Sequence, residues 1–211
     1  MSAKMRGRLR LILAVLLILA ALVVLVVRTQ YLPLAEELGC MQVNNRISGL
    51  INEAVNEQIQ YDGIDYDSLI CFEKDADGRI SAMKTNMNEA NRIRTEILKR
   101  LDEKIADFSL EELGVPLGNI LLPQLLSGYG PMLPVRVLAV SSSDAQFEDD
   151  FTAKGINQTL HRISILVRLD VSVSTPNGTT EQAVEATVLV AQTVIVGTVP
   201  STYITMNGEE T

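Results

Sequence analysis

The hydrophobic and polar positions of this chain fall into three regimes. The first is an unbroken apolar run from Leu11 to Val27, LILAVLLILAALVVLVV, with Lys4, Arg6, Arg8 and Arg10 before it and Arg28 directly after it. At about 1.5 Å per residue the run makes a helix of roughly 25 Å, which crosses a bilayer core once the stem of Arg10 snorkels to the headgroups. The second regime has helical spacing. Ile47, Leu50, Ile51, Ala54, Val55 and Ile59 recur at three- and four-residue steps between about Ala35 and Gln60, with Asn52, Glu53, Asn56 and Glu57 opposite. Ala90, Ile93, Ile97, Leu98, Leu101 and Ile105 repeat that pattern over about 88–106, where Asn86 and Glu89 have capping-box spacing. The third regime alternates with period two. His161, Ile163, Ile165, Val167, Leu169, Val171 and Val173 share one face, and Val184, Ala186, Val188, Val190 and Val194 share one in the next strand.

Turn residues punctuate these regimes. Asp62-Gly63 ends the first helical segment, and Lys74 to Gly78 separates two short strands at 69–73 and 79–85. A strand from Val135 turns at Lys154-Gly155, and Thr175-Pro176-Asn177-Gly178 joins the two alternating strands, so Arg168 and Glu185 come opposite each other. Pro33 is expected to break the helix, because it lacks a backbone donor. The meander has one apolar face, and the two amphipathic helices are the available cover. The fold class predicted is therefore α+β: an N-terminal transmembrane helix, then one domain of two amphipathic helices packed on antiparallel sheet, the sheet being a short hairpin plus a three-stranded meander. The expected divisions are a basic tail 1–10, a membrane helix 11–28, a juxtamembrane linker 29–34, a domain 35–205 and a flexible tail 206–211.

Charge sets the expected orientation. Basic residues precede the run and no acid does, so the tail belongs in the cytoplasm and the domain outside it. From residue 29 onward 13 basic residues face 26 acidic ones, which argues against nucleic acid or an anionic lipid surface as a partner of the acidic body. A cleaved signal peptide fits poorly: the run exceeds a usual apolar signal core and no small-x-small site follows. Leu38-Gly39-Cys40 lies too far from the run for a lipoprotein signal, with Glu37 where an aliphatic residue is wanted. Cys40 and Cys71 form no CxxC and make no metal site; a disulfide and two free thiols both stay open.

No catalytic, cofactor or metal residue is assigned. Glu73-Lys74-Asp75-Ala76-Asp77-Gly78 has the offsets of half a calcium loop, but Lys84 stands at position twelve and the flanks read as strands. His161, the single histidine, sits in phase with a core face and has no visible triad partners. Glu148-Asp149-Asp150 reads as a solvated loop or edge, and the sequons at Asn157 and Asn177 read as turn chemistry. The unusual segment is 113–134, LGVPLGNILLPQLLSGYGPMLP, apolar yet studded with Gly and Pro, with a short helical turn expected around 121–126. It is either a packed crossover or a docking surface. In the second case Leu121, Leu122, Tyr129, Met132 and Leu133 make the contact.

Several segments together resemble the sporulation protein YunB family. They are INEAVNEQI in the first helix, DADGRI followed by NMNEANRIRTEI, LGVPLG followed by SGYGPMLPVRV, the GIN turn at 155–157, and VPSTY at 199–203. The family often carries a longer insertion before LGVPLG, and this chain is compact there. The resemblance implies a single-pass protein of a membrane around the forespore, required for endospore formation, with no catalytic motif to carry over. The expected function is non-enzymatic: a structural or assembly factor, with the membrane held through Leu11 to Val27 and other sporulation or envelope proteins, or a second copy, as partners. A binding module for a lipid or other apolar ligand and a wall-glycan hydrolase using paired carboxylates are the alternatives.

Overall fold

The computed structural model describes residues 3–76, 78, 80–108, 113–155 and 157–197, with side chains from Ile12 onward, Ile80 excepted. The expected tail 206–211 and the VPSTY segment with Tyr203 lie outside the described residues.

The chain opens with α1, Ala3–Val26, then a π-helical turn, Val27–Tyr31, then α2, Leu32–Asp62. Helix continues through Pro33, against the expectation of a linker at 29–34. The physical reason is the π turn: the Leu32 amide donates to Val27 O, five residues back. This widened turn absorbs the donor that Pro33 cannot supply, and Thr29 Oγ1 adds a bond to Leu25 O at 2.8 Å. Residues Ile12–Asp62 therefore form one helix with a segment long and apolar enough to cross a membrane, whose apolar residues are exposed.

A short helix α3, Tyr66–Leu69, is capped by Asp65, whose carboxylate accepts from the Ser68 amide. The hairpin follows as β1, Ile70–Lys74, and β2, Ile80–Thr85, with Cys71 opposite Lys84 and Glu73 opposite Ala82. Next comes α4, Met87–Phe108. Asn86 Oδ1 accepts from the Glu89 amide, so half of the capping box forms; the Glu89 carboxylate turns instead to Arg92. Strand β3, Leu113–Pro116, leads through two short helices, α5 Leu117–Leu121 and α6 Pro123–Leu126, into three long strands: β4 Met132–Gly155, β5 Gln158–Thr175 and β6 Gly178–Val196. The sheet order is β3-β4-β5-β6, so the expected three-stranded meander gains a fourth, short strand.

The chain forms two compact units that share α2 and the three long strands, a division without a linker to mark it in the sequence. Unit one holds residues 1–46, 109–140 and 171–182. Its core takes Ala35, Gly39 and Val43 from one stripe of α2 and Val135, Val171 and Val173 from the sheet. Unit two holds 47–108, 141–170 and 183–211. Its core takes Ile47, Ile51, Ala54 and Val55 from α2, Ile93, Ile97, Leu101 and Ile105 from α4, and Ile163, Ile165, Val167 and Leu169 from β5. Each such aliphatic side chain contributes about 1.5–3 kcal/mol on leaving water. A polar seam crosses the helix pair there: Arg100 Nε donates to the buried Gln58 Oε1, and Gln58 Nε2 donates to Asp62. Arg168 pairs with Glu185 across β5 and β6 at 3.1 Å, as the alternation predicts. In β6 the alternation slips after Val190, and Val194 is half exposed rather than on the core face.

Candidate functional site

The segment between β3 and β4 is an ordered loop that displays apolar side chains. Its base is closed by backbone bonds, Leu117 N to Pro131 O at 3.0 Å and Gly118 N to Tyr129 O at 2.9 Å. Gly118 makes this closure possible. A Cβ there would stand 2.5 Å from Tyr129 O and closer still to Leu126 O, both backbone atoms. Gly128 and Gly130 hold positive φ, +80° and +102°, where L side chains are strained, and the Gly128 amide bonds Asn119 Oδ1 at 2.7 Å. Pro123 starts α6 at a position where no donor is needed.

This scaffold turns leucines outward. Leu121, Leu122, Tyr129 and Met132, expected as contact residues, are all exposed, Tyr129 at 73 %. Leu133 is not: it is half buried, paired with Val115 in the β3–β4 register. Leu125, exposed at 78 %, and Leu126 were not among the expected contacts, although the apolar spacing of α6 contains them. Residues 113–135 carry no charged side chain, within a region after residue 28 that holds 26 acids. Ordered, uncharged and apolar, the surface has the chemistry to meet another apolar surface.

His161 is the single histidine of the chain. It is 1 % exposed, in β5 of unit two. Its Nδ1 is 2.6 Å from the Tyr66 hydroxyl, its Nε2 is 3.3 Å from Asp149 Oδ1, and the Phe151 ring stacks on it with centroids 4.1 Å apart. Burial, with Asp149 and Asp67 nearby, pushes the Tyr66 hydroxyl above its ordinary pKa. Both ring nitrogens have partners, and neither partner is a serine or cysteine nucleophile. The constellation locks β5 to α3 and β4. In the hairpin, Lys84 pairs with Glu73, and the Gly78 amide, at φ +79°, donates to Asp75 O at 3.0 Å. Both cysteines are free thiols; burial, and the Glu36 charge after it, push Cys40 upward.

Comparison with known proteins adds a similarity over the C-terminal part of the chain. Residues 112–202 match the family described as Sporulation protein YunB. This segment makes the chain similar to the YunB sporulation family. A Bacillus subtilis (strain 168) protein named Sporulation protein YunB is 22% identical over 181 residues, covering 81% of this chain and 71% of its own. No solved structure matches the chain. The YunB match begins just before β3, so the exposed loop and the three long strands lie inside the family segment.

Proposed function

We propose that this chain is a non-enzymatic assembly factor of endospore formation. It is anchored by α1 in a membrane around the forespore, displays its acidic α+β body outside the mother-cell cytoplasm, and uses the β3–β4 loop as a contact surface. The observation that carries this reading is the splice between anchor and fold. Ile12–Asp62 is one helix, and the same helix that starts in the apolar segment supplies Val43 to the core of unit one. Such an anchor fixes the height and rotation of the body against a membrane, which suits a positional task. Support also comes from the sporulation family match and from the basic residues ahead of the run, which favour a cytoplasmic N-terminus.

The test is complementation in a sporulating host lacking its own copy, with heat-resistant spores counted. The full chain should restore the count, and a body without residues 1–28 should not. Full sporulation by the anchorless body would refute the positional role. Release of soluble muropeptides from purified wall by the full chain would refute the non-enzymatic role.

A further inference from the structure

The occupant of the exposed loop follows from where unit one holds it. Two contacts set the height of the sheet along α2. Glu36 accepts hydrogen bonds from Asn177 Nδ2 at 2.6 Å and from Thr180 Oγ1, at the tip of the β5–β6 hairpin. Gly39, one turn further along, presses its backbone on Val135 of β4; a Cβ on it would lie 2.8 Å from Val135 Cγ2. Strands β4 and β5 are joined by a two-residue connection and are therefore antiparallel, so β4 begins at the end of the sheet where the β5–β6 tip lies. Leu133 and Pro134 line a shared recess with Thr175 and Pro176, as that arrangement requires.

From Arg28, at the end of the apolar run, to Gly39 the helix rises about 16 Å. From Val135 back to Met132 the strand descends about 10 Å. With β4 taken along the helix axis, Met132 stands about 6 Å above the level of Arg28, and the loop joins β3 to β4 at that same end, where Pro116 pairs with Met132. That is the depth of lipid headgroups, the depth at which amphipathic elements bury apolar side chains by about 5–10 Å. We infer that the loop 121–132 is a second membrane contact: Leu121, Leu122, Leu125, Leu126, Tyr129 and Met132 seat in the lipid surface of the bilayer that α1 spans. Charge agrees. The body as a whole is acidic and repelled by lipid phosphates, and the uncharged stretch 113–135 is the part that approaches them without that penalty. The inference rests on the reading of α1 as a membrane span.

The chain contains no tryptophan, so a single introduced indole reports its own surroundings. Three variants of the full chain, Leu125→Trp, Leu17→Trp and Tyr61→Trp, are reconstituted in phosphatidylcholine vesicles with and without acyl-brominated phosphatidylcholine. Tyr61 is exposed and lies 33 residues past Arg28 in the chain, near the far end of α2. Leu17→Trp should lose most of its emission to bromine, and Tyr61→Trp should lose none. Leu125→Trp should be quenched to an extent approaching Leu17→Trp, with blue-shifted emission and shielding from acrylamide. If Leu17→Trp is quenched and Leu125→Trp is not, the loop does not touch lipid, whereas an unquenched Leu17→Trp overturns the anchor itself. Shielding of Leu125→Trp from acrylamide without bromine quenching, and growing with protein concentration, would assign the loop to a second copy and overturn the lipid contact.

Discussion

Two glycines on α2 offer a matched test of the packing that sets the height of the sheet. Gly39 and Gly49 lie in the same helix, and neither is at a positive φ. Replacing either with alanine recovers about 1 kcal/mol of helix propensity. At Gly49 nothing lies within 4 Å of the new Cβ, so that gain should appear in full. At Gly39 the Cβ meets Val135 Cγ2 at 2.8 Å and Cγ1 at 3.4 Å, and Val135 is fully buried. A β-branched side chain has little freedom to turn away, and overpacking of this kind costs about 1–3 kcal/mol. The net for Gly39→Ala is then a loss of about 0–2 kcal/mol, which separates the two variants by about 1–3 kcal/mol.

Urea unfolding of the full chain in non-ionic micelles, followed by circular dichroism, measures the difference. A double-mutant cycle locates its cause. In a Val135→Ala background the new methyl at position 39 enters space that Val135 has vacated, so Gly39→Ala should turn from destabilising to stabilising by about 1 kcal/mol. If Gly39→Ala and Gly49→Ala stabilise equally, α2 does not press on Val135, and one of the two contacts that hold the sheet at its height along α2 is absent.

Three further outcomes are expected. Gly118→Ala should collapse the loop, because its Cβ would strike the Leu126 and Tyr129 carbonyls; limited proteolysis should then cut within 117–131 while far-ultraviolet dichroism stays near native. Bonds from Asn177 and Thr180 hold the Glu36 carboxyl below its ordinary pKa of 4.5, so its contribution is complete above that pH and fades as the pH falls through the lowered value. Glu36→Ala should therefore cost about 1 kcal/mol near neutrality, allowing for solvent, and converge on the parent in strong acid; a constant difference down to low pH would contradict this. Tyr66→Phe leaves Nδ1 of the buried His161 without its hydroxyl partner and should cost about 1–3 kcal/mol by thermal unfolding, with no effect on the anchor's quenching by brominated lipid.

What could be read from sequence was whatever repeats with a fixed period against a buried face. All seven residues placed on the core face of β5, His161 to Val173, are buried, because strict alternation over a long strand leaves one register. The apolar stripes of α2 and α4 were legible for the same reason. Local rules failed where a neighbour intervened. Pro33 should stop a helix, but a π turn five residues long takes up the missing donor. Glu89 should complete a capping box, but Arg92 lies one turn away and claims it. Val194 was misplaced because the slip after Val190 changes phase without a glycine or proline to announce it.

The loop shows the limit most clearly. Its composition marks an unusual surface, yet composition cannot separate Leu125, turned to solvent, from Leu133, half hidden in the β3–β4 pairing. Nor can it say what the surface meets, since that depends on height along α2. Two short-range facts decide the height: an absent side chain at Gly39, and a carboxylate at Glu36 matched to a hairpin tip some 140 residues away in sequence. Neither residue is unusual by itself. Joined to a helix whose apolar end is long enough to cross a membrane, they carry the proposed placement of the loop leucines at the depth where such a span would leave the lipid. A helix with no hinge carries this placement, so adding or deleting one residue between Arg28 and Glu36 would swing the loop about 100° around the anchor, and with it any fixed contact beside the anchor. Loss of bromolipid quenching at position 125 in such an insertion variant, with the body still folded, is the signature that separates a held loop from one that merely drifts onto lipid.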